Sequence, residues 1–238
     1  GFGTVYLAED PNLGDKVAIK VFCIFDESVA DEAISAMGDA TELLRQRFLD
    51  EARILRKLSS SPYIVDMHEF DTLEDGTPYY VMPYVPRSLV NMIGRDVFTE
   101  FGLSRTEQGV HPRALPMNKA IDFLVQILKG MKVVHDAGLV HRDIKPANIL
   151  LDGDSEPFNI LLCDFGIAKL PDGEHSQTGV GMGSPNYMSP EQRQSAKHVD
   201  ARSDVFSIGM LAYRMLTGTV PAVAGQQPPK NLVPGIGD

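Results

Sequence analysis

A polar, turn-rich segment between two short apolar runs constrains this chain more than any other feature. Residues 141–166 have the sequence HRDIKPANILLDGDSEPFNILLCDFG, in which residues 149–151 and 160–163 are apolar. Short apolar runs separated by Asp, Gly, Ser and Pro predict two buried strands joined as a hairpin. In an antiparallel pair the start of one strand lies beside the end of the other. We therefore expect Asn148 and Asp164 to meet at one end of the hairpin.

Two more charged residues, Asp143 and Lys145, lie just before that end of the hairpin. The expected cluster contains two carboxylates, one amide oxygen and one ammonium group. Mg²⁺ prefers hard oxygen ligands and usually takes a few from the protein and others from substrate phosphates. The sequence therefore predicts a cation site at the hairpin end.

Composition excludes several classes of protein. The chain has 238 residues, a net charge of −10 and 43% hydrophobic residues, which supply a core but no basic face for nucleic acid. Cys23 and Cys163 have neither metal-ligand nor disulfide spacing, so we expect two small buried side chains in a reducing compartment. No apolar run approaches the length of a membrane span, and we expect a cytoplasmic domain. Because the chain begins at Gly1, we expect a fragment of a protein whose membrane anchor, if any, lies elsewhere.

The first half of the chain has the pattern of a β-rich region with one helix. Alternation and turn residues predict strands over residues 4–8, 16–22, 63–70 and 78–85. Ala18 and Lys20 should share one strand face. Apolar residues then recur at helical spacing: Leu44, Phe48, Leu55 and Leu58. Glu51 falls on that apolar face, where it either pairs with Lys20 or lies at the margin and reaches water.

The second half of the chain is mainly helical. A helix from Met117 is expected to end at Gly138 and to bury Ile121, Leu124, Leu128 and Met131. Another helix should begin at Asp200 or Ser203, end at Gly218 and be buried on most sides.

The order of these elements indicates the fold class. Strands come first and helices mainly later, which predicts an α+β fold rather than βαβ alternation. Pro83 and Pro86 bracket a short extended segment that we interpret as a hinge between two lobes.

Five motifs in a fixed order resemble those of eukaryotic-type protein kinases. Residues 141–148, HRDIKPAN, resemble the catalytic loop, and residues 164–166, DFG, resemble the metal-binding motif. Residues 17–20, VAIK, resemble the strand with the phosphate-binding lysine, and residues 189–191, SPE, correspond to the Ala-Pro-Glu motif. Residues 1–5, GFGTV, resemble the end of the Gly-rich loop. Each motif is weak alone, but the ordered set covers nearly the whole chain.

Details of these motifs narrow the class. Lys145 and Pro146 after Asp143 resemble serine/threonine rather than tyrosine kinases. Residues 187–192 and 200–207 look most like those of bacterial serine/threonine kinases.

The resemblance implies a bilobal protein-kinase-like fold that transfers the γ-phosphoryl group of ATP to protein Ser or Thr hydroxyls. Asp143 would accept or orient the hydroxyl proton, and Lys145 would sit against the transferred phosphate. Asn148 and Asp164 would hold Mg²⁺, with Mn²⁺ as the alternative metal. Protein substrates and ATP are the implied partners, and a homodimer through the N-lobe is a further expectation.

The resemblance also implies an ATP-binding set. Lys20 would bind the α- and β-phosphates and be fixed by Glu51. The adenine would be enclosed by Val5, Ala18 and Leu150, by the gatekeeper Met82, and by the backbone of Pro83 and Val85.

Supporting and regulatory residues follow from the same resemblance. Leu55, Met67, His141 and Phe165 would form a packed column between the lobes, with His141 structural rather than a base. Asp204 would accept hydrogen bonds from the catalytic-loop backbone. Arg142 would pair with a phosphate on the activation segment, where Thr178 is preferred to Ser176 as the modified residue.

The chain departs from the family pattern at both ends. Residues 1–85 would form an N-lobe without its first strand, and residues 86–238 a C-lobe without its last helices. The spacing from Lys20 to Glu51 is longer than usual, which an insertion around residues 26–41 would explain.

Two other functions remain open from the sequence. A pseudokinase would be a nucleotide-binding scaffold without activity, although Lys20, Asp143, Asn148 and Asp164 are intact. A kinase-like phosphotransferase acting on small molecules is the second alternative. A P-loop enzyme is excluded because the chain contains no Gly-Lys dipeptide.

Overall fold

The chain folds into a β-rich N-terminal part and a mainly helical C-terminal part. The computed structural model describes residues 3–23, 38–97, 111–166, 186–194, 199–223, 225, 227–233 and 235. Its strands are β1 (Thr4–Glu9), β2 (Lys16–Val21), β3 (Glu69–Thr72), β4 (Pro78–Pro83), β5 (Ile149–Asp152) and β6 (Asn159–Leu162). Its helices are α1 (Gly38–Leu58), α2 (Leu89–Ile93), α3 (Met117–Asp136), α4 (Pro190–Gln194) and α5 (Ala201–Thr217). Short 3₁₀ helices span Pro146–Asn148 and Pro229–Asn231.

A four-stranded antiparallel sheet, ordered β1-β2-β4-β3, forms the N-terminal part. Ala18 lies opposite Met82, and Lys20 lies opposite both Val5 and Tyr80. Directly opposite residues of an antiparallel pair project to the same side of the sheet. The prediction that Ala18 and Lys20 lie on the same face of β2 is confirmed, because both side chains are buried.

The strand predicted over residues 63–70 is mostly wrong. Only its last two residues belong to β3, which begins at Glu69. The preceding residues cross to the C-terminal part, where Ile64 forms a parallel bridge with Leu162. Val65 donates to the Leu162 carbonyl at 3.0 Å, and Leu162 donates to the Tyr63 carbonyl at 2.9 Å. The residues before Glu69 therefore pair with the distant β5–β6 hairpin instead of extending β3.

The hairpin predicted from the apolar runs 149–151 and 160–163 is confirmed. β5 and β6 are antiparallel, with Ile149 opposite Leu162 and Asp152 opposite Asn159. Cys163 donates its backbone N–H to the Asn148 carbonyl at 3.1 Å, which extends the pairing to the end where Asp164 follows.

The predicted buried face of α3 is only partly correct, because Met131 is buried and Leu124 packs against the core, but the other two predicted residues are exposed. Ile121 and Leu128 are 49% and 52% exposed, whereas the buried residues are Ala120, Phe123, Ile127, Gly130, Met131 and Val134. A Cβ added to Gly130 would lie 2.8 Å from the Leu162 side chain, so this face packs closely against β6. The prediction gave weight to large apolar residues, but small residues mark the face of closest approach.

α5 has the predicted ends. Asp200 is the N-cap, because its side chain accepts a hydrogen bond from the Arg202 backbone at 2.8 Å. Gly218 ends the helix in the left-handed conformation, with φ 73°. The expectation of burial on most sides is wrong for the first turns, where Val205 is 61% exposed and Phe206 is 38% exposed.

A single apolar cluster joins the two parts of the chain. It includes Phe48 and Leu55 of α1, Leu162 of β6 and Leu211 of α5. Among the described helices, none combines the length and apolar character needed to cross a membrane. Cys163 is buried as predicted, but Cys23 is only half-buried, and both are free thiols.

Candidate active site

The end of the hairpin brings three of the predicted catalytic and metal-binding side chains into contact. The Asp143 carboxylate oxygen Oδ2 accepts from Lys145 Nζ at 2.9 Å and from Asn148 Nδ2 at 2.8 Å. Asn148 Nδ2 also donates to the Asp143 backbone carbonyl at 2.9 Å. The short 3₁₀ helix Pro146–Asn148 turns the chain between these residues, and Asn148 is 3% exposed. Asp143 is thus held by two donors that follow it closely in sequence.

Asp164 is the fourth predicted residue at this site, and its backbone is strained. Its φ is 55°, in the left-handed region that non-glycine residues rarely adopt. Its Oδ1 atom accepts from Lys20 Nζ at 2.7 Å, while its side chain remains 44% exposed. Such strain persists where surrounding contacts over-determine the conformation, and it is concentrated at functional sites.

The ion pair between Lys20 and Glu51 is confirmed. Lys20 Nζ lies 2.7 Å from Glu51 Oε1, and Glu51 is 6% exposed, so it does not reach water at the helix margin. Tyr80 donates its hydroxyl to the same Glu51 oxygen at 3.1 Å. The sequence reasoning missed Tyr80, although alternation within β4 places it on the same face as Met82. In the sheet, Tyr80 lies directly across from Lys20.

The charges of this cluster support one another. Burial opposes the charge on Lys20, but Glu51, Tyr80 and Asp164 together hold its pKa well above the ordinary value. Burial alone would raise the pKa of Asp164, but nearby positive charges, chiefly Lys20 with a further contribution from Lys145, together hold that pKa below the usual range. Burial raises the pKa of Glu51, and the contact with Lys20 opposes that rise. The 2.7 Å contacts and the raised pKa of Lys20 indicate a charged cluster at neutral pH.

The oxygen atoms at the hairpin end fit a hard divalent cation. Asn148 uses its amide nitrogen to bind Asp143, so its amide oxygen is the atom left to act as a ligand. The partly exposed Asp164 carboxylate would supply the second ligand. Within the part of the chain that the structure describes, no three His, Cys, Asp or Glu residues form a metal cluster. A two-oxygen set suits a cation that takes its remaining ligands from phosphates and water.

The residues predicted to enclose adenine lie on both sides of the hinge segment. Val5 lies on the same face of the sheet as Lys20 and is 52% exposed, whereas Ala18 and Met82 are buried. Pro83 ends β4, and Val85 follows two residues later. Leu150 of β5 forms a bridge with Ser88, just beyond the hinge. The sheet register thus places Ala18 beside Met82, and the contact of this set with ATP remains a prediction.

The supporting residues lie where the resemblance implied. Asp204 accepts backbone hydrogen bonds from His141 at 2.9 Å and Arg142 at 2.8 Å. The His141 ring stacks on Phe165 with centroids 4.6 Å apart, and the ring is fully buried. Burial lowers the pKa of His141, which favours the neutral imidazole and agrees with a structural role. Leu55 and Met67 belong to the same buried cluster as Phe165.

The structure adds an ion pair and a side-chain link that the sequence reasoning missed. Arg214 is fully buried in α5, and its Nε atom donates to Asp96 Oδ1 at 2.9 Å. Gln192 donates from Nε2 to the Arg142 carbonyl at 2.9 Å. Neither contact leaves a local sequence signal, because the partners are far apart in the chain.

Some predicted positions fall outside the described residues. Thr178 and Ser176, the candidate phosphorylated residues, belong to this group, as does most of the insertion expected around residues 26–41. They stay predictions.

Comparison with models of known protein families shows which family this chain belongs to. The family model for the protein kinase domain matches residues 1–232. This chain belongs to the protein kinase family. The bilobal α+β fold predicted from the motifs is therefore confirmed, as is the resemblance itself.

Bacterial serine/threonine-protein kinases are among the similar proteins. The kinase domain is 36% identical to pkn2 of Myxococcus xanthus over 93% of this chain. It is 34% identical to PknK of Mycobacterium bovis over 92% of this chain, and 35% identical to PksC of Streptomyces coelicolor over 93%. It spans only 23%, 17% and 36% of those three proteins.

A solved kinase structure has the same fold. The crystal structure of the PknI kinase domain of Mycobacterium tuberculosis, in mutant form, matches with a TM-score of 0.58 and 26% identity. The match covers 98% of this chain and 76% of that one.

Proposed function

We propose that the protein containing this domain is an ATP-dependent kinase that phosphorylates serine or threonine hydroxyls of proteins. The main support for this proposal is the arrangement of charged side chains. Lys20 Nζ bridges Glu51 and Asp164. The Asp143 carboxylate accepts hydrogen bonds from Lys145 and Asn148. Phosphoryl transfer requires positioning and charge neutralisation more than covalent chemistry, and these groups supply both. The names of the related bacterial proteins support the serine/threonine class.

Each residue of the cluster has a distinct part in this proposal. Asp143 orients the substrate hydroxyl and accepts its proton, and Lys145 beside it neutralises charge on the transferred phosphate. Lys20, fixed by Glu51, binds the α- and β-phosphates. Asn148 and Asp164 are the oxygen ligands for Mg²⁺ or Mn²⁺, which neutralises phosphate charge when bound. Val5, Ala18, Leu150, Met82 and the hinge at Pro83 and Val85 enclose the adenine.

Two further properties belong to the proposal. We place the domain in the cytoplasm, where ATP is available and free thiols such as Cys163 persist. Lobes at residues 1–85 and 86–238, and a homodimer through the first, remain predictions.

Asp143→Asn tests the activity most directly. The whole protein is incubated with labelled ATP, Mg²⁺ and a generic protein substrate, and transfer and ATP binding are measured separately. Loss of the base is expected to lower the transfer rate by about 10²–10⁴-fold while ATP still binds. Asp152→Asn is the matched control, because Asp152 is exposed at the opposite end of β5 and should retain wild-type activity.

The alternatives predict different results in this experiment. ATP binding by the wild-type protein without transfer would favour the pseudokinase. Transfer to a small alcohol but to no protein would favour the small-molecule phosphotransferase.

A further inference from the structure

We propose that Gln192 is a positioning residue for phosphoryl transfer, because its side-chain N–H holds the peptide that leads into Asp143. The inference rests on the proposed kinase function and assigns a role to a residue outside the catalytic motifs. Gln192 lies in α4, 50 positions from the Arg142 carbonyl that it contacts.

The peptide between Arg142 and Asp143 needs external support. Arg142 has φ 66°, a left-handed conformation that is unfavourable for a non-glycine residue. Its own N–H is held by Asp204 Oδ1 at 2.8 Å, on one side of the strained residue. Its carbonyl, on the other side, accepts from Gln192 Nε2 at 2.9 Å. The two contacts together over-determine the strained conformation.

The contact with Gln192 acts directly on the proposed base. A peptide unit is planar, so a hydrogen bond to the Arg142 carbonyl also fixes the orientation of the Asp143 N–H and Cα. The Asp143 N–H, on the same peptide, makes a long contact with His141 Nδ1 at 3.4 Å. Gln192 therefore restrains the rotation of the backbone peptide that carries Asp143, whereas Lys145 and Asn148 hold the carboxylate itself.

The oxygen of the same side chain has a separate task. Ser189 donates its backbone N–H to Gln192 Oε1 at 3.0 Å, and Gln192 donates its own N–H to Ser189 Oγ at 3.4 Å. This reciprocal pair is a capping box at the start of α4. A capping box uses only the side-chain oxygen, so the side-chain N–H is available for Arg142. The two tasks can therefore be separated by substitution.

The two anchors of Arg142 are also connected to each other. The Ser203 hydroxyl donates to the Glu191 carboxylate, which joins the start of α5 to α4. Glu191 is adjacent to Gln192, and Ser203 is adjacent to Asp204. A displacement of α4 would therefore be transmitted to both sides of Arg142.

Two substitutions in the whole protein separate the tasks. Gln192→Glu keeps the capping oxygen and removes the donor, whereas Gln192→Lys keeps a donor and removes the capping oxygen. The proposal predicts that Gln192→Glu lowers kcat about tenfold or more, with the KM for ATP within twofold and the helix cap intact. Gln192→Lys should lose stability through the cap but retain a kcat closer to wild type.

The opposite pattern would overturn the proposal. If Gln192→Glu keeps the wild-type kcat while Gln192→Lys loses it, Gln192 is a helix cap alone. Hydrogen exchange at the Asp143 amide gives a readout independent of activity: faster exchange is expected in Gln192→Glu than in Gln192→Lys. That result would uphold the positioning role even if the wild-type protein transferred no phosphate, and equal exchange in both variants would refute it.

Discussion

Two residues beside the catalytic cluster have a left-handed backbone, Arg142 with φ 66° and Asp164 with φ 55°. Neither is glycine, so each conformation is maintained by surrounding contacts. Asp204 holds the backbone of Arg142, and Lys20 holds the side chain of Asp164. The sequence predicted that Asp164 would face the cation, but not that its backbone would be strained, because φ has no local signature in a non-glycine residue.

His141 should make the stability of the domain depend on pH. Burial lowers its pKa in the folded state, so as pH falls the unfolded chain, with a pKa of about 6.5, binds the proton first. The free energy of unfolding should therefore decrease as pH falls below about 6.5, by at most about 1.4 kcal/mol per pH unit from this residue. Urea denaturation at several pH values from about 5 to about 8 measures how the free energy of unfolding changes with pH.

His141→Phe is the variant that isolates this term. It keeps an aromatic ring against Phe165 and removes the titrating group. Its unfolding free energy should vary less with pH than that of the wild type over this interval. The comparison uses the change with pH, so a difference in packing that is the same at every pH does not affect it. An unchanged slope would show that His141 does not contribute.

At the scale of elements, helix ends and packed faces differ in how well sequence predicts them. Both glycine stops were predicted, and Gly138 and Gly218 have φ 75° and 73°. Their surroundings differ: nothing lies within 4 Å of a Cβ at Gly138, whereas a Cβ at Gly218 would lie 2.9 Å from the Ala114 backbone nitrogen. The stop signal is local, but the close approach of a second segment is not.

This pair of glycines gives a matched test. Gly138→Ala should cost about 1–2 kcal/mol, the penalty for a side chain in the left-handed conformation. Gly218→Ala should cost more, because the backbone at Ala114 must also move. Urea denaturation of the two variants measures the difference, and equal losses would contradict the packing argument.

At the scale of the whole molecule, Lys20 connects three separate elements. It lies on β2, and it binds Glu51 of α1 and Asp164 after β6, which are 31 and 144 positions away. The backbone bonds between Val65 and Leu162 join the same two parts of the chain. The site and the contact between the parts therefore share residues.

Lys20→Met should destabilise the domain by about 3–5 kcal/mol, because it leaves the buried Glu51 carboxylate without its cation. Adding Glu51→Gln in the same chain should recover part of that loss, since the unpaired charge is removed. Asp164→Asn should cost about 1 kcal/mol or less, because its side chain is 44% exposed and Lys20 keeps Glu51. Unfolding free energies of these variants give the comparison. A double variant no more stable than Lys20→Met would show that charge burial is not the cause.

The amino-acid sequence by itself determined the catalytic motifs, the hairpin that brings Asn148 near Asp164, and the α+β fold class. These features depend on residue type and short-range periodicity, which are visible without a partner. The tertiary structure decided the buried face of α3, the pairing of Ile64 with Leu162 and the contact from Gln192 to Arg142. Each of these depends on which distant segment packs closest, and close packing is a property of the assembled chain. The residues of the site were therefore predictable, whereas the contacts that orient them were not.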